Sequence, residues 1–136
     1  MFKKLVLIAF TVALSTATNS RSYQKPNDQV WTSVVAWFGK NNVPIKAIDK
    51  AGGSLYAEAS SFDDSAADCG KPAASSAQPV ARTAGFSVSV RQAGGGTTVT
   101  VTTQFVEMHG SGASRTTVPC VSKGVLENLL LSSIGN

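Results

Sequence analysis

Histidine is nearly missing from this chain, with His109 the only one, and cysteine is scarce, with Cys69 and Cys120 alone. Charged residues make up 15% of the sequence, below the average for soluble domains, and Ser, Thr, Ala and Gly stand in their place. Each shortage excludes something. Two cysteines and one histidine do not fill a four-ligand zinc site, and the two cysteines lie too far apart for a C-x-x-C redox pair. Asp63, Asp64 and Asp68 lack the alternating oxygen ligands and late Glu of a calcium loop, so they read as a solvated acidic run. Gly94, Gly95 and Gly96 are followed by no Lys of the phosphate-loop kind and read as a hairpin turn. No G-x-S-x-G elbow occurs. No cofactor or metal site is expected.

Basic clusters are also missing. Two of the twelve Lys and Arg residues, Lys3 and Lys4, sit at the extreme N-terminus, which leaves ten against eight acidic residues. Those ten are scattered from Arg21 to Lys123 without a stripe, so nucleic acid is not an expected partner. Long apolar runs are missing too. The longest, Leu5 to Leu14, is about half of what a membrane span needs.

That short run has another meaning. Residues 1–17, MFKKLVLIAFTVALSTA, carry a positive start, an apolar centre and small residues at Ser15 and Ala17. This is the pattern of a cleaved secretory signal, with cleavage after Ala17 and Ser20 as the other position. No Cys precedes Cys69, so no lipid-attachment cysteine follows the apolar run. The chain reads as exported, with the bacterial periplasm as the default destination. An even cysteine count in an exported chain predicts a disulfide between Cys69 and Cys120.

Residues 18–26 read as a polar leader or linker, and residues 27–136 as one domain. Asn27 or Asp28 can cap a first helix. In it Val30, Trp31, Val34, Trp37, Phe38 and Asn41 keep three-and-four spacing, and Pro44 stops continuation. Both tryptophans are expected to pack on a sheet. Period-two runs at 45–50 and 54–60, joined through Gly52 and Gly53, read as a hairpin. Residues 61–83 show neither period and read as a long loop. The next hairpin is the clearest local signal. Phe86, Val88 and Val90, then Val99, Val101, Thr103 and Phe105, share one face. Ser and Thr hold the other, as in a sheet solvated on one side. Residues 108–118 read as a second loop. Ser122 can cap a last helix with Val125, Leu126, Leu129, Leu130 and Ile134 on one face and Gly135 at its end. The predicted fold is α+β: a four-stranded antiparallel sheet with two helices packed on one face.

His109 is the one side chain that ordinarily titrates near neutrality, and Glu107, Ser111 and Ser114 lie nearby, so a Ser–His–acid triad is conceivable. A solvated loop histidine is the simpler reading.

The stretches WTSVVAWFGKNNVPIKAIDKAGGSLYAEAS (31–60), DCG (68–70) and CVSKGVLENLL (120–130) resemble small exported bacterial lipoprotein-type sequences. The helix–hairpin part is similar to the domains of BamC, a lipoprotein of the outer-membrane assembly machinery. That resemblance implies a helix-grip-like arrangement and an envelope location. It transfers no catalytic residues, and the chain departs from BamC in lacking the lipidated Cys and the tandem domains. The expected function is therefore non-enzymatic: an envelope protein acting through protein–protein contact. A periplasmic inhibitor or immunity protein and a small secreted hydrolase are the alternatives.

Overall fold

The computed structural model describes residues 16–70, 79–110, 113 and 115–135. The apolar centre of the signal-like segment, Ser15, and the serines at 111 and 114 lie outside them. Among the described residues the chain forms β1 (Thr16–Tyr23), α1 (Asn27–Lys40), β2 (Ile45–Asp49) and β3 (Ser54–Ala59). Then come β4 (Ala67–Asp68), β5 (Pro79–Ala93), β6 (Gly96–His109), β7 (Thr116–Ser122) and α2 (Val125–Ser133). The class is α+β, as predicted. The sheet has seven strands rather than four, in the order β2-β3-β5-β6-β7-β4, with β1 pairing β6 as well. Every pairing is antiparallel.

The long β5–β6 hairpin organises the rest. Phe86, Val88 and Val90 on β5 and Val99, Val101 and Phe105 on β6 are all buried, on the face the alternation predicts. The other face of β6 shows Thr98, Thr100 and Thr102. The hairpin runs further than the sequence pattern suggests, back to Pro79 and on to His109, so both predicted loops lose residues to it.

Residues 18–26 do not form a linker, since most of them belong to β1. Thr18, Ser20 and Ser22 point to the solvated face and bond the hydroxyls of Thr102, Thr100 and Thr98 at 3.2, 2.8 and 3.1 Å. Only Tyr23 is buried among β1's described side chains, and its hydroxyl donates to the Leu131 carbonyl at 2.5 Å. A strand with one buried apolar residue gives almost no hydrophobic alternation to read. Burial pushes the Tyr23 phenol above its ordinary pKa, against an opposing effect of Arg21. β7 was hidden by Pro119. It is tolerated because β4 covers only Val121 and Ser122, leaving the outer edge at Pro119 without a pairing strand among the described residues.

The core lies between the sheet and the helices. α1 buries Val30, Trp31, Val34, Trp37 and Phe38. The Trp37 ring meets Phe38 and Phe86 edge-on at 5.1 and 5.9 Å. The helix is capped by Pro26, without a side-chain bond. Asn27 and Asp28 fall inside its first turn, where an acidic group favours the positive end of the helix dipole. Asn42 turns left-handed at φ 55° and ends it.

Gly96 marks a close approach. A β-carbon there would lie 2.2 Å from the Tyr23 carbonyl oxygen, whereas one at Gly95 meets open space. Gly96→Ala should therefore cost about 1–3 kcal/mol by forcing β1 away from β6. Gly95→Ala should stay within about 0.5 kcal/mol of the parent. Urea unfolding of the two variants checks this, and equal midpoints would contradict the close approach.

Candidate functional site

Two places carry exposed or reactive chemistry. The first is at the end of the hairpin where β5 runs past β3 and β6 is flanked by β7. Arg82 and Glu107 are direct cross-strand partners, and His109 lies two residues beyond Glu107 on the same face. The Glu107 carboxylate accepts from Arg82 Nε at 2.8 Å and contacts His109 Nε2 at 2.5 Å. Arg82 also donates Nη2 to Asp64 at 2.8 Å and Nη1 to the Phe62 carbonyl at 3.3 Å, with its guanidinium 5.2 Å from the Phe62 ring centre. Asp64 and then Glu107 raise the Arg82 pKa further, which keeps the cation fixed. Lys123 donates to the Asp64 carbonyl at 2.6 Å. A cleft of about 350 Å³ passes these groups and the Cys69 side of the disulfide.

His109 is thus not a solvated loop residue. It is 8% exposed, at the end of β6. Glu107 engages Nε2, the ring nitrogen that faces the nucleophile in a Ser–His–acid triad. The groups that are placed form an ion network tying β5, β6 and the 61–70 segment together. Of the acidic run, Asp64 joins this network. Asp63 bonds the Ser65 amide at 3.1 Å as well as its hydroxyl, and the hydroxyl contact is the main reason its pKa is lowered. Asp68 accepts from the Gly70 amide at 2.8 Å. Among the described residues no group of three or more His, Cys, Asp or Glu is placed to hold a metal ion.

The second place is on α2, whose buried face differs from the predicted one. Leu130 and Ile134 are buried as predicted, and so are Leu131 and Glu127, which were not on the predicted face, while Val125 is 40% and Leu129 53% exposed. The rotation follows from local chemistry. The helix is capped by Gly124 at φ 78°, two residues after Ser122. The Ser122 hydroxyl accepts from the Gly124 amide at 3.0 Å and donates to Glu127 Oε1 at 2.6 Å. The Thr103 hydroxyl donates to the same oxygen. These bonds turn Glu127 inward, and the Leu129–Leu131 run supplies core residues in the new phase. Val125 and Leu129, one turn apart, are left on the surface.

They border a groove of about 300 Å³ between the end of α1 and the start of α2. Trp37, Val43, Phe62, Leu126 and Leu129 line it together with the polar Asn41, Ser61 and Ser65. Among the described residues Asp63 is the one charged residue on its rim. A groove of this chemistry suits an apolar side chain carried on a peptide or helix.

The disulfide stands where the sequence put it. Cys69 and Cys120 are joined, continuing the register Ala67↔Ser122, Asp68↔Val121 of β4 with β7. No described helix is long and apolar enough to cross a membrane. Compared with known proteins, the chain matches no family model and no curated sequence.

Proposed function

We propose that this is a non-enzymatic protein of the bacterial cell envelope that works by protein–protein contact, with a BamC-like domain, and that the α1–α2 groove is its contact site. The observation that carries this is the exposed pair Val125 and Leu129 beside a groove that is partly apolar. Apolar side chains left on a helix at one-turn spacing, next to a hollow lined by aromatics, are the usual anchor and pocket of helix-in-groove recognition. The partner is then an envelope protein presenting an apolar helical segment. The Arg82–Glu107–His109 network serves the fold, holding the 61–70 segment that forms one wall of the groove.

A photo-crosslinking side chain at Leu129 should give a defined adduct with one envelope protein in cells, and the same probe at Thr100 should not. Leu129→Glu should weaken binding to that protein about a hundredfold while leaving the melting temperature unchanged, since Leu129 already faces solvent. No adduct at Leu129, or equal adducts at both positions, would remove the contact site.

The export reading has its own check. β1 needs Thr18, Ser20 and Ser22 for its hydroxyl pairs, which favours cleavage after Ala17 over Ser20. Intact-mass measurement of the exported protein should give an N-terminus at Thr18 and no added lipid. An N-terminus at Met1, or an acyl mass, would contradict it.

A further inference from the structure

The sheet has two kinds of edge. β2 is five residues long, its register with β3 shifts between Ile45 and Ala47, and it carries Lys46 and Asp49, with Lys50 next to it. Short length, irregular register and charge are the devices that stop a strand from pairing with another chain. β1 differs in being regular and in carrying a single charge. Its register against β6 runs unbroken from Thr16 to Tyr23, and a chain beginning at Thr18 keeps the stretch Thr18–Tyr23 of it. β5 occupies the other side of β6, and β7 lies end to end with β1, pairing only positions 105–109 of β6. Among the described residues no strand pairs the outer edge of β1. Its one charged residue, Arg21, is tied back to α2, donating Nη1 to Ser132 at 3.2 Å. Backbone amides and carbonyls on a regular, nearly uncharged edge are a template for a further strand.

We infer that β1 pairs antiparallel with β1 of a second copy of this chain, joining two sheets across a twofold axis at Ser20. The residue pattern selects this occupant and this register. A twofold sets each residue opposite a fixed partner on the same strand of the other copy. Centred on Ser20, it places Thr18 opposite Ser22 and Ser20 opposite itself, so hydroxyl meets hydroxyl on the solvated face and the existing ladder with Thr98, Thr100 and Thr102 is extended. Cross-strand Ser/Thr pairs of this kind are favourable. On the other face the same register puts Arg21 opposite Asn19. The only charge on the strand therefore never meets its own copy. A mature chain beginning at Thr18 keeps all five residues from Thr18 to Ser22. The dimer uses a surface distinct from the α1–α2 groove and does not depend on that groove's role.

The test is sedimentation equilibrium of the protein purified from the periplasm, across the micromolar range. A reversible dimer with a dissociation constant on the order of micromolar is expected for so small an interface. Two charge variants at one position fix the register. Asn19→Lys sets an ammonium against the other copy's Arg21 on both sides of the axis and should weaken the dimer roughly tenfold. Asn19→Glu sets a carboxylate there and should tighten it several-fold. Circular dichroism melts of both variants should match the parent, because Asn19 makes the same half-exposed strand position in each. A monomer at all concentrations overturns the inference. So does a dimer that responds alike to both charges, or one that is lost in Leu129→Glu and indifferent to position 19.

Discussion

Val99→Asp is expected to leave the chain unfolded at room temperature, while Thr100→Asp, one residue away, should fold and melt within a few degrees of the parent. Val99 is fully buried on the inner face of β6, with Val90 and Arg21 as its register neighbours on β5 and β1. A carboxylate there would either ionise in a fully buried site, where its one charged register neighbour, Arg21, is already engaged with Ser132, or protonate at the cost of leaving a buried polar group. Even the neutral form, without hydrogen bonds, costs roughly 2–7 kcal/mol. Domains of this size are stable by about 5–15 kcal/mol, and the loss of Val99's packing adds to the penalty. Thr100 faces the solvated side, and its hydroxyl pairs with Ser20 at 2.8 Å. Losing that bond costs about 1 kcal/mol. Far-ultraviolet circular dichroism with urea titration separates the two outcomes. If both variants fold equally well, the inner and outer faces of β6 have been assigned wrongly.

The same alternation explains which strands were legible. β6 buries every second residue along its length and β5 does so from Ala84 to Val90, so Val and Phe mark one face and Ser and Thr most of the other. β1 and β7 carry their fold information elsewhere. β1 buries Tyr23 and otherwise relies on hydroxyl pairs, and β7 buries Cys120 beside a proline. β4 is two residues long and exists only because β7 and the disulfide hold it. Hydrophobic period cannot find strands whose partners supply the apolar side.

The ion network and the groove were hidden for different reasons. The inner-face alternation of β6 continues past Phe105 through Glu107 to His109, so His109 could have been placed on the strand by extending that count. Arg82 could not, because its place opposite Glu107 depends on the β5 register. In α2 three-and-four spacing puts five apolar residues on one face, and three consecutive leucines allow more than one helical phase. The choice was made by Glu127, whose inward turn requires Thr103 and Ser122 to be present. A buried glutamate in the first turn is not something a hydrophobic pattern announces. Its consequence, two apolar side chains on the surface, is the main reason to look for a partner at that helix.

The disulfide should be the largest single covalent contribution to stability. Cys69 and Cys120 are 51 residues apart. Closing a loop of that size in the unfolded chain is worth about 4 kcal/mol by chain entropy, with measured bridges often delivering less. What the bridge holds is specific. The two-residue strand β4 pairs only Ala67 and Asp68 with β7. The adjoining contacts are the Lys123 amide to the Ala66 carbonyl at 2.9 Å, Arg82 to Asp64, and the Phe62 ring against Phe105 at 5.0 Å. So short a ladder does not hold the 61–70 segment on its own. Cys69→Ser and Cys120→Ser should each lower stability by a similar amount, up to about 4 kcal/mol, with Cys120→Ser slightly worse because it leaves a hydroxyl where nothing is exposed. The double variant should be close to Cys120→Ser rather than the sum of the two, since both changes remove one link. Hydrogen exchange on the single variants should show faster exchange first at 61–70 and at the start of α2, before the β5–β6 hairpin opens. Thiol labelling of the protein, purified and denatured without reductant, should find no free cysteine. Two labelled thiols, or a double variant whose loss is the sum of the singles, would mean that the bridge does not hold this loop to the sheet.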